Sequence, residues 1–232
     1  MKNLQLPPAL KLSADTQLER FHEQACEEGR PWLDQQLDDE VFAQQLRWVW
    51  AGSEFVALLC IQFPELLRDL VDSGELLTSR SDNAVPAELL AFESEALLHS
   101  GLRQFRRRQM LRIIWRDLTG LADTMETTAD MSWLADVTIK AAMDFLYAML
   151  AERWGTPMGA VSGQRQELVV LGMGKLGAGE LNVSSDIDLI FTYPESGDTE
   201  DGRSQCTNQE FFIRLGQKLI QALDNKTVDG FV

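Results

Sequence analysis

The chain has 232 residues, 45% of them hydrophobic, and it carries 36 Asp and Glu against 21 Lys and Arg, a formal charge of −15. A surface this acidic repels nucleic acid and anionic membranes, so we expect neither as a partner. The longest apolar stretch, at 55–61, is far short of the roughly 20 residues that a membrane span needs. The hydrophobic content is sufficient for one large or two modest domains.

The cysteines and histidines do not indicate a redox or zinc site. Cys26, Cys60 and Cys206 are odd in number and widely spaced, a pattern typical of free thiols in an intracellular protein. His22 and His99 lie on predicted helices far from any motif. The N-terminus lacks the apolar run of an export signal, so we expect a cytoplasmic protein.

Helical periodicity dominates the chain before about residue 155. A segment with proline in its first turn runs from Pro64 to Gly74, and another is predicted to open at Pro86 and run towards His99. Three apolar stripes have helical spacing. They comprise Val41, Phe42, Leu46, Val49 and Trp50; then Leu111, Ile114, Trp115, Leu118 and Leu121; then Leu134, Val137, Ala141 and Phe145.

Two segments, 79–84 and 155–166, have the composition of linkers. We expect the second to be the domain boundary, with an all-helical region at 1–155 and a different domain at 156–232. Tryptophans in the helical region, among them Trp48, Trp50 and Trp133, occupy apolar positions that favour core packing over base stacking.

Arginines cluster in the helical segment that carries the second of these stripes, at Arg103, Arg106, Arg107, Arg108, Arg112 and Arg116. The last three recur every four residues and therefore share one helical face, opposite Leu111 and Ile114. The simpler interpretation is a solvated face that pairs with the many carboxylates. The alternative is a surface that contacts phosphate or a partner protein.

The most informative segment is 168–193, in which an apolar strand leads into a glycine-rich turn. A turn that brings its backbone against phosphate oxygens cannot carry bulky side chains and often needs positive φ, which Gly172, Gly174 and Gly177 permit. Lys175 lies within the turn as a point charge for the same anion. The composition of this turn predicts a phosphate site.

Asp186 and Asp188 follow at the start of the next strand, preceded by Ser184 and Ser185. Alternate residues of a strand point to the same face, so both carboxylates can converge on one hard cation such as Mg²⁺. A lone D-x-D would more simply be a strand-entry cap and an exposed strand residue. Its short distance from the glycine and lysine turn favours metal-assisted chemistry on a nucleotide phosphate.

The same glycines also spell G-x-G-x-x-G after a strand, the dinucleotide-binding fingerprint of oxidoreductases. A Rossmann unit needs a full crossover helix, yet only residues 178–185 separate the turn from the next strand. Glu195 lies at a tolerable distance to be the ribose acid but belongs to an acidic loop. The spacing favours the metal interpretation.

Beyond the motif we expect an acidic, solvated loop at 195–208 and then a helix. Thr207 and Glu210 form a capping box at the start of that helix. Its predicted buried residues are Phe211, Leu215, Leu219 and Ile220. Residues 227–232 have the pattern of a turn that enters a strand.

The string GMGKLGAGELNVSSDIDLIF, at 172–191, resembles the first nucleotidyltransferase signature of glutamine synthetase adenylyltransferase, the bifunctional transferase and removase of bacterial nitrogen control. The segment RRRQMLRIIWRDLTGLAD, at 106–123, is similar to the helical stretch that precedes that signature. The resemblance is close from about residue 102 to 232 and looser before it. The long helical start makes the chain similar to the N-terminal, removase half of the family.

The resemblance implies an α+β fold, with an N-terminal helical array followed by a DNA polymerase β-like mixed sheet. It implies removal of AMP from a tyrosine of glutamine synthetase by inorganic phosphate, yielding ADP, while the other half of the family transfers AMP from ATP. Two Mg²⁺ ions would be held by Asp186 and Asp188. Partners would be glutamine synthetase and a PII-type nitrogen signalling protein. The phosphate-facing turn would comprise Gly174, Lys175 and Gly177, with Ser185 as a further phosphate contact.

In the family a third carboxylate lies in an R-V-D-x-R-L-R-P strand, which would follow Val232. Asp229 does not replace it, because Asp229 and Gly230 form a predicted turn before that strand. We therefore expect an incomplete nucleotidyltransferase sheet. A catalytically incomplete fragment that serves as a helical docking or regulatory module stays open as an alternative.

Overall fold

The structure is a computed structural model that describes residues 6–24 and 29–224. These residues have an α+β fold, as the resemblance implied, with helices followed by two short antiparallel strand pairs. No helix within the described ranges is long and apolar enough to cross a membrane. The helices before the strands are α1 (Pro8–Gln24), α2 (Gly29–Leu37), α3 (Glu40–Gly52), α4 (Glu54–Gln62), α5 (Pro64–Asp72), the 3-10 turn η1 (Ala87–Leu89), α6 (Glu95–Thr119) and α7 (Thr124–Trp154).

The remaining elements surround the glycine turn. They are β1 (Thr156–Pro157), β2 (Val169–Gly172), α8 (Gly174–Gly177), β3 (Leu189–Thr192), β4 (Thr199–Glu200) and α9 (Asn208–Asp224). β1 pairs with β4 and β2 pairs with β3, both antiparallel. The predicted turn and strand at 227–232, together with Cys26, lie outside the described residues.

Contacts divide the chain into two compact units, and the division falls within α6 and α7. Unit 1 comprises residues up to 81 and 107–131, and unit 2 comprises 82–106 and the residues from 132 onwards. The domain boundary expected near residue 155 stays a prediction.

Unit 1 is a helical core built around aromatic side chains. Phe21 on α1 and Trp50 on α3 are buried, with ring centroids 5.8 Å apart. Trp115 on α6 is fully buried and stacks against Phe42 at 5.6 Å. Cys60 is also buried here, and desolvation raises the pKa of its thiol to about 12. A thiol in that environment stays protonated and packs as a small apolar group.

The predicted apolar stripes are confirmed for most of their members, since Leu46, Leu111 and Leu134 are each less than 5% exposed. Two members are exposed instead. Val41 is 46% exposed in the first turn of α3, and Leu121 is 39% exposed because α6 ends two residues earlier, at Thr119.

The helix predicted to open at Pro86 is wrong in its extent. Pro86 opens only η1, and α6 begins at Glu95. Ser94 sets this start, because its Oγ accepts the N–H of Leu97 at 3.2 Å and its carbonyl accepts the N–H of Leu98 at 2.9 Å. A serine in that position satisfies amides that the first turn of a helix leaves without partners.

Arg108, Arg112 and Arg116, here called the arginine ladder, lie along one face of α6 within unit 1. The expectation that they pair with carboxylates is confirmed, and the expectation that they are solvated is wrong for Arg112 and Arg116, whereas Arg108 is half-buried. Arg112 is 4% exposed and Arg116 is 3% exposed. Within the ladder, Arg108 pairs with Glu75, Arg112 with Asp130 and Arg116 with Glu126.

Backbone carbonyls explain why Arg112 and Arg116 are buried. Arg112 donates to the Thr78 carbonyl at 2.7 Å, and Arg116 donates to the Leu76 carbonyl at 3.1 Å. These carbonyls belong to the loop after α5, which the ladder therefore fastens to α6. The guanidinium groups of Arg112 and Arg116 serve the fold of unit 1, so they are not available to a phosphate or a partner protein.

Unit 2 is organised by α9, whose predicted capping box is confirmed. Thr207 accepts the Glu210 N–H at 3.2 Å, and Glu210 accepts the Thr207 N–H at 3.0 Å. Phe211, Leu215 and Leu219 are fully buried, whereas Ile220 is 52% exposed. Ile220 lies about 100° around the helix from Leu219, which takes it off the buried face.

The acidic loop is more ordered than the sequence suggested. Its acidic side chains Asp198, Glu200 and Asp201 are exposed, as expected. Thr199 between them is fully buried and forms part of β4. The loop is therefore fixed through its backbone pairing with β1 while its charges remain in solvent.

Candidate functional site

A short antiparallel strand pair carries the residues predicted to form the site. β2 ends at Gly172, which pairs with Leu189 at the start of β3. One further hydrogen bond, from the Met173 N–H to the Asp188 carbonyl at 2.9 Å, continues the pairing past the strand ends. The glycine turn therefore begins directly beside the second aspartate.

The glycines of the turn serve two different needs. Gly174 has φ of +56°, a conformation that favours glycine. A Cβ at Gly177 would lie 2.4 Å from the Gly172 carbonyl oxygen, so a side chain here would force the backbone to shift. The N–H groups of Gly177 and Ala178 donate to the Met173 and Gly174 carbonyls at 3.4 and 3.2 Å. These two amides close the turn and are not available to a phosphate.

Asp186 and Asp188 lie in extended chain immediately before β3. Both are exposed, and they alternate with the half-buried Ile187 and Leu189. Such alternation places both carboxylates on the same side of the strand. Among the described residues, neither carboxylate has a hydrogen-bond or ion-pair partner. Both carboxylates are therefore accessible to a ligand.

Lys175 and Ser185, predicted as phosphate contacts, are brought together. The Lys175 Nζ donates to the Ser185 Oγ at 3.3 Å. The Ser185 hydroxyl donates to the Asn182 Oδ1, and the Ser185 N–H donates to the Asn182 carbonyl at 3.1 Å. Lys175 and Asn182 are exposed and Ser185 is half-buried, so the group lies at the surface of unit 2.

Buried leucines and α7 hold this group in place. Leu176 is 7% exposed and Leu181 is 3% exposed. The Leu181 N–H donates to the Ser132 Oγ on α7 at 3.1 Å. Between the leucines, the Glu180 N–H donates to the Lys175 carbonyl at 2.8 Å. The segment from Lys175 to Asn182 is therefore anchored at both ends.

Sequence reasoning missed Asn182 and Ser132. Asn182 stands three residues before Ser185, a spacing at which asparagine commonly organises a turn, so its position was a usable signal. Ser132 gave no such signal, because its partner is 49 residues away in the chain.

The site offers donors of the type that a hard cation prefers. Two carboxylates on one side of a strand suit Mg²⁺, whose protein ligands are mainly oxygens. Within residues 6–24 and 29–224, no three His, Cys, Asp or Glu side chains are grouped closely enough to hold a metal ion. The described part of the chain thus supplies a pair of candidate ligands.

The strand topology excludes a Rossmann unit at this turn. β2 and β3 are antiparallel and are connected through the four-residue α8, whereas a Rossmann unit joins parallel strands through a long helix. Glu195, considered as a ribose acid, is already engaged. Its carboxylate accepts the N–H groups of Ser162 at 3.1 Å and Val161 at 3.2 Å, and these bonds, that from Ser162 above all, lower its pKa.

The α+β arrangement agrees with a nucleotidyltransferase domain, and comparisons with known proteins define the class more narrowly. The family model described as glutamate-ammonia ligase adenylyltransferase matches residues 43–232. The chain therefore belongs to the glutamate-ammonia ligase adenylyltransferase family.

Individual relatives agree with this assignment. The chain is 50% identical over 208 residues to the bifunctional glutamine synthetase adenylyltransferase/adenylyl-removing enzyme of Pseudomonas putida, covering 88% of this chain and 21% of that protein. It is 43% identical over 235 residues to the enzyme of the same name from Nitrosococcus oceani, covering 98% of this chain and 23% of that protein. The chain spans about a fifth of the length of these relatives.

Proposed function

We propose that this chain contributes the site that removes AMP from an adenylylated tyrosine of glutamine synthetase by phosphorolysis. The observation that carries the proposal is a pair of exposed carboxylates, Asp186 and Asp188, which have no partner among the described residues and lie beside a glycine turn that presents Lys175. The names of the relatives support the substrate class, because those proteins are adenylyltransferases and adenylyl-removing enzymes of glutamine synthetase.

Asp186 and Asp188 would hold Mg²⁺. When bound, the metal would neutralise the charge that develops on the transferring phosphoryl group. The protein's own contribution is to keep the two carboxylates on one side of the strand. The hydrogen bond from the Met173 N–H to the Asp188 carbonyl fixes the backbone of the second aspartate for this task.

Lys175 would bind the attacking inorganic phosphate. Its ammonium group carries three N–H donors, and one of them is engaged by Ser185. In the reaction an oxygen of inorganic phosphate forms a bond to the AMP phosphorus as the bond to the tyrosine oxygen breaks. The attacking hydrogen phosphate loses its proton, the tyrosine oxygen takes a proton, and ADP is released, so atoms and charge balance.

Other parts of the proposal concern the whole protein. The full-length relatives' names add an adenylyltransferase activity, for which ATP would be the nucleotide substrate. Glutamine synthetase would be the protein partner, a PII-type signalling protein would be the regulator, and the compartment would be the cytoplasm.

The decisive experiment measures ADP release from adenylylated glutamine synthetase in the presence of inorganic phosphate and Mg²⁺. It uses a protein that contains this chain together with the segments its relatives have beyond it. Replacing both carboxylates, Asp186→Asn with Asp188→Asn, should lower the rate roughly 1,000-fold, because metal assistance is worth several kcal/mol. A rate within about threefold of the unmodified protein would refute the proposal.

A matched control removes two acidic charges elsewhere in unit 2. Asp198→Asn with Glu200→Gln changes two exposed side chains of the loop around β4 and should leave the rate unchanged.

The same assay on the 232-residue chain alone tests the alternative of a helical docking module. A rate comparable to that of the longer protein would reject that alternative.

A further inference from the structure

Asn182 holds a position that the proposed function leaves without a role. Its side-chain oxygen accepts the hydroxyl proton of Ser185, and its backbone carbonyl accepts the Ser185 N–H. Ser185 is in turn the residue that accepts from the Lys175 ammonium at 3.3 Å. The three side chains form a continuous series, Lys175 to Ser185 to Asn182.

The number of protons on a serine hydroxyl decides what Ser185 can do. A hydroxyl has one proton to donate and two lone pairs that accept. Because the proton of Ser185 is directed to Asn182, the oxygen presents its lone pairs to Lys175. In this arrangement the Ser185 proton is engaged by Asn182 and is not directed to a phosphate, and the direct phosphate contact expected from the sequence stays a prediction.

We propose that Asn182 is a positioning residue for phosphate binding, acting through Ser185 on the Lys175 ammonium group. This inference rests on the proposed function, in which Lys175 binds inorganic phosphate. Asn182 does not touch the phosphate. It orients the Ser185 hydroxyl as an acceptor, and that acceptor restrains an exposed lysine whose free side chain has many rotamers.

The backbone is built to give Asn182 a fixed position although its side chain is exposed. The preceding residue, Leu181, is 3% exposed, and its N–H is held by Ser132 of α7 at 3.1 Å. The turn from Asn182 to Ser185 is closed by the backbone hydrogen bond between these two residues. The backbone of Asn182 is therefore held in place, and its side chain restrains the flexible Lys175 ammonium group through Ser185.

The experiment is a double-mutant cycle read out on phosphate. In the longer protein, Asn182→Ala should raise the KM for inorganic phosphate about fivefold, while kcat and the KM for adenylylated glutamine synthetase change less than twofold, because only the bound position of phosphate depends on the lysine. Ser185→Ala should have the same effect as Asn182→Ala. Ser185→Thr, which keeps the hydroxyl, should restore a near-normal KM.

A merely structural role of Asn182 would not make its effect on phosphate binding depend on Ser185 and Lys175, whereas a positioning role would. Residues that act in series are non-additive. The variant with both Asn182→Ala and Ser185→Ala should therefore be no worse than either single change. In a Lys175→Met background, Asn182→Ala should have no further effect on the KM for phosphate. If Asn182→Ala raised the KM for phosphate further in the presence of Ser185→Ala or of Lys175→Met, the proposal would be overturned.

Ser184→Ala is the matched control, since it removes an exposed hydroxyl from the residue next to Ser185. It should leave the KM for phosphate unchanged, and an effect equal to that of Ser185→Ala would count against the assigned series. Titration calorimetry with inorganic phosphate measures the same cycle without turnover. If the unmodified protein binds phosphate but releases no ADP, the proposed function fails while the cycle still tests Asn182. If it binds no phosphate, the positioning role is overturned.

Discussion

Charged side chains are used in opposite ways in the two units. In unit 1 the inner arginines of the ladder are buried and paired with carboxylates: Arg112 and Asp130 each have side chains 5% exposed, and they meet at 2.7 Å. In unit 2 the turn presents Lys175, Asp186 and Asp188 to solvent, and among the described residues the two aspartates have no partner. Charged side chains therefore stabilise the fold in unit 1, whereas in unit 2 they are exposed and form the ligand site that we propose.

Burial and pairing, more than residue type, separate these two uses. A buried ion pair is costly to break because the remaining charge has lost its hydration. An exposed charge keeps its hydration and contributes little to stability, so it can be replaced without unfolding the protein. Substitutions in the ladder should lower the free energy of unfolding, whereas substitutions of the exposed charges should alter ligand binding.

The largest expected effect on stability is that of Arg112→Met. It leaves the Asp130 carboxylate with Arg80 at 3.0 Å as its remaining ion-pair partner and deprives the Thr78 carbonyl of its donor. We expect a loss of about 3 kcal/mol in the free energy of unfolding. Urea denaturation followed by tryptophan fluorescence measures it.

Arg20→Met provides the control, because Arg20 is an exposed arginine of α1 in the same unit. Its effect should stay within about 0.5 kcal/mol. Equal losses for the two variants would show that the buried ladder is no more important to the fold than a surface arginine, and the contrast between the units would fail.

The next largest expected effect on stability is that of Gly177→Ala in the glycine turn. The new Cβ would lie 2.4 Å from the Gly172 carbonyl oxygen, which is backbone and can yield only if the end of β2 moves. We expect a loss of about 2 kcal/mol, since overpacking of this kind typically costs 1–3 kcal/mol, together with a lower rate of ADP release. Urea denaturation and the ADP assay test the two parts separately.

Gly174→Ala separates this clash from backbone strain. Gly174 has φ of +56°, and apart from its chain neighbours and the backbone of its own helix no atom of the described residues lies within 4 Å of an added Cβ. Its cost should be about 1 kcal/mol, that of an ordinary residue in the left-handed region. A larger loss for Gly174→Ala than for Gly177→Ala would mean that conformation, and not close approach, dictates the glycines of this turn.

Local patterns in the sequence predicted those features that depend only on residues close to one another in the chain. The capping box of Thr207 and Glu210 needs only a spacing of three, and the exposure of Asp186 and Asp188 follows from the alternation of a strand. The contacts of Arg112 could not be predicted in this way. Its carboxylate and carbonyl partners come from segments 18 and 34 residues away, and only tertiary packing brings them together.

The same limit applies to the candidate site. The glycine turn, Lys175 and the two aspartates were recognisable from their order in the chain. The direction of the Ser185 proton was not, because it depends on where the turn places Asn182. The anchoring of Leu181 by Ser132 depends on α7, which is distant in sequence. A motif therefore predicts the groups that meet a ligand better than it predicts the groups that position them.

The smallest expected effect is the pH dependence contributed by Glu75, at the exposed end of the ladder. Hydrogen bonds from Arg108 are the main cause that lowers the pKa of Glu75 in the folded state. A group whose folded pKa lies below its unfolded value stabilises the fold when ionised. That stability is present above the unfolded pKa, about 4.3, and is lost as the pH falls through the folded pKa.

Glu75→Gln should therefore flatten the decline in the free energy of unfolding below about pH 4.5. The contribution should be under about 1 kcal/mol, because the Glu75 side chain is 41% exposed and solvent screens the pair. Urea denaturation at a series of pH values from neutral to acid measures the slope. Glu19→Gln, at an exposed position of α1, should keep the original slope. If both variants show the same slope as the unmodified protein, the Arg108–Glu75 pair does not contribute to stability. The stabilising contribution of the ladder is then confined to Arg112 and Arg116.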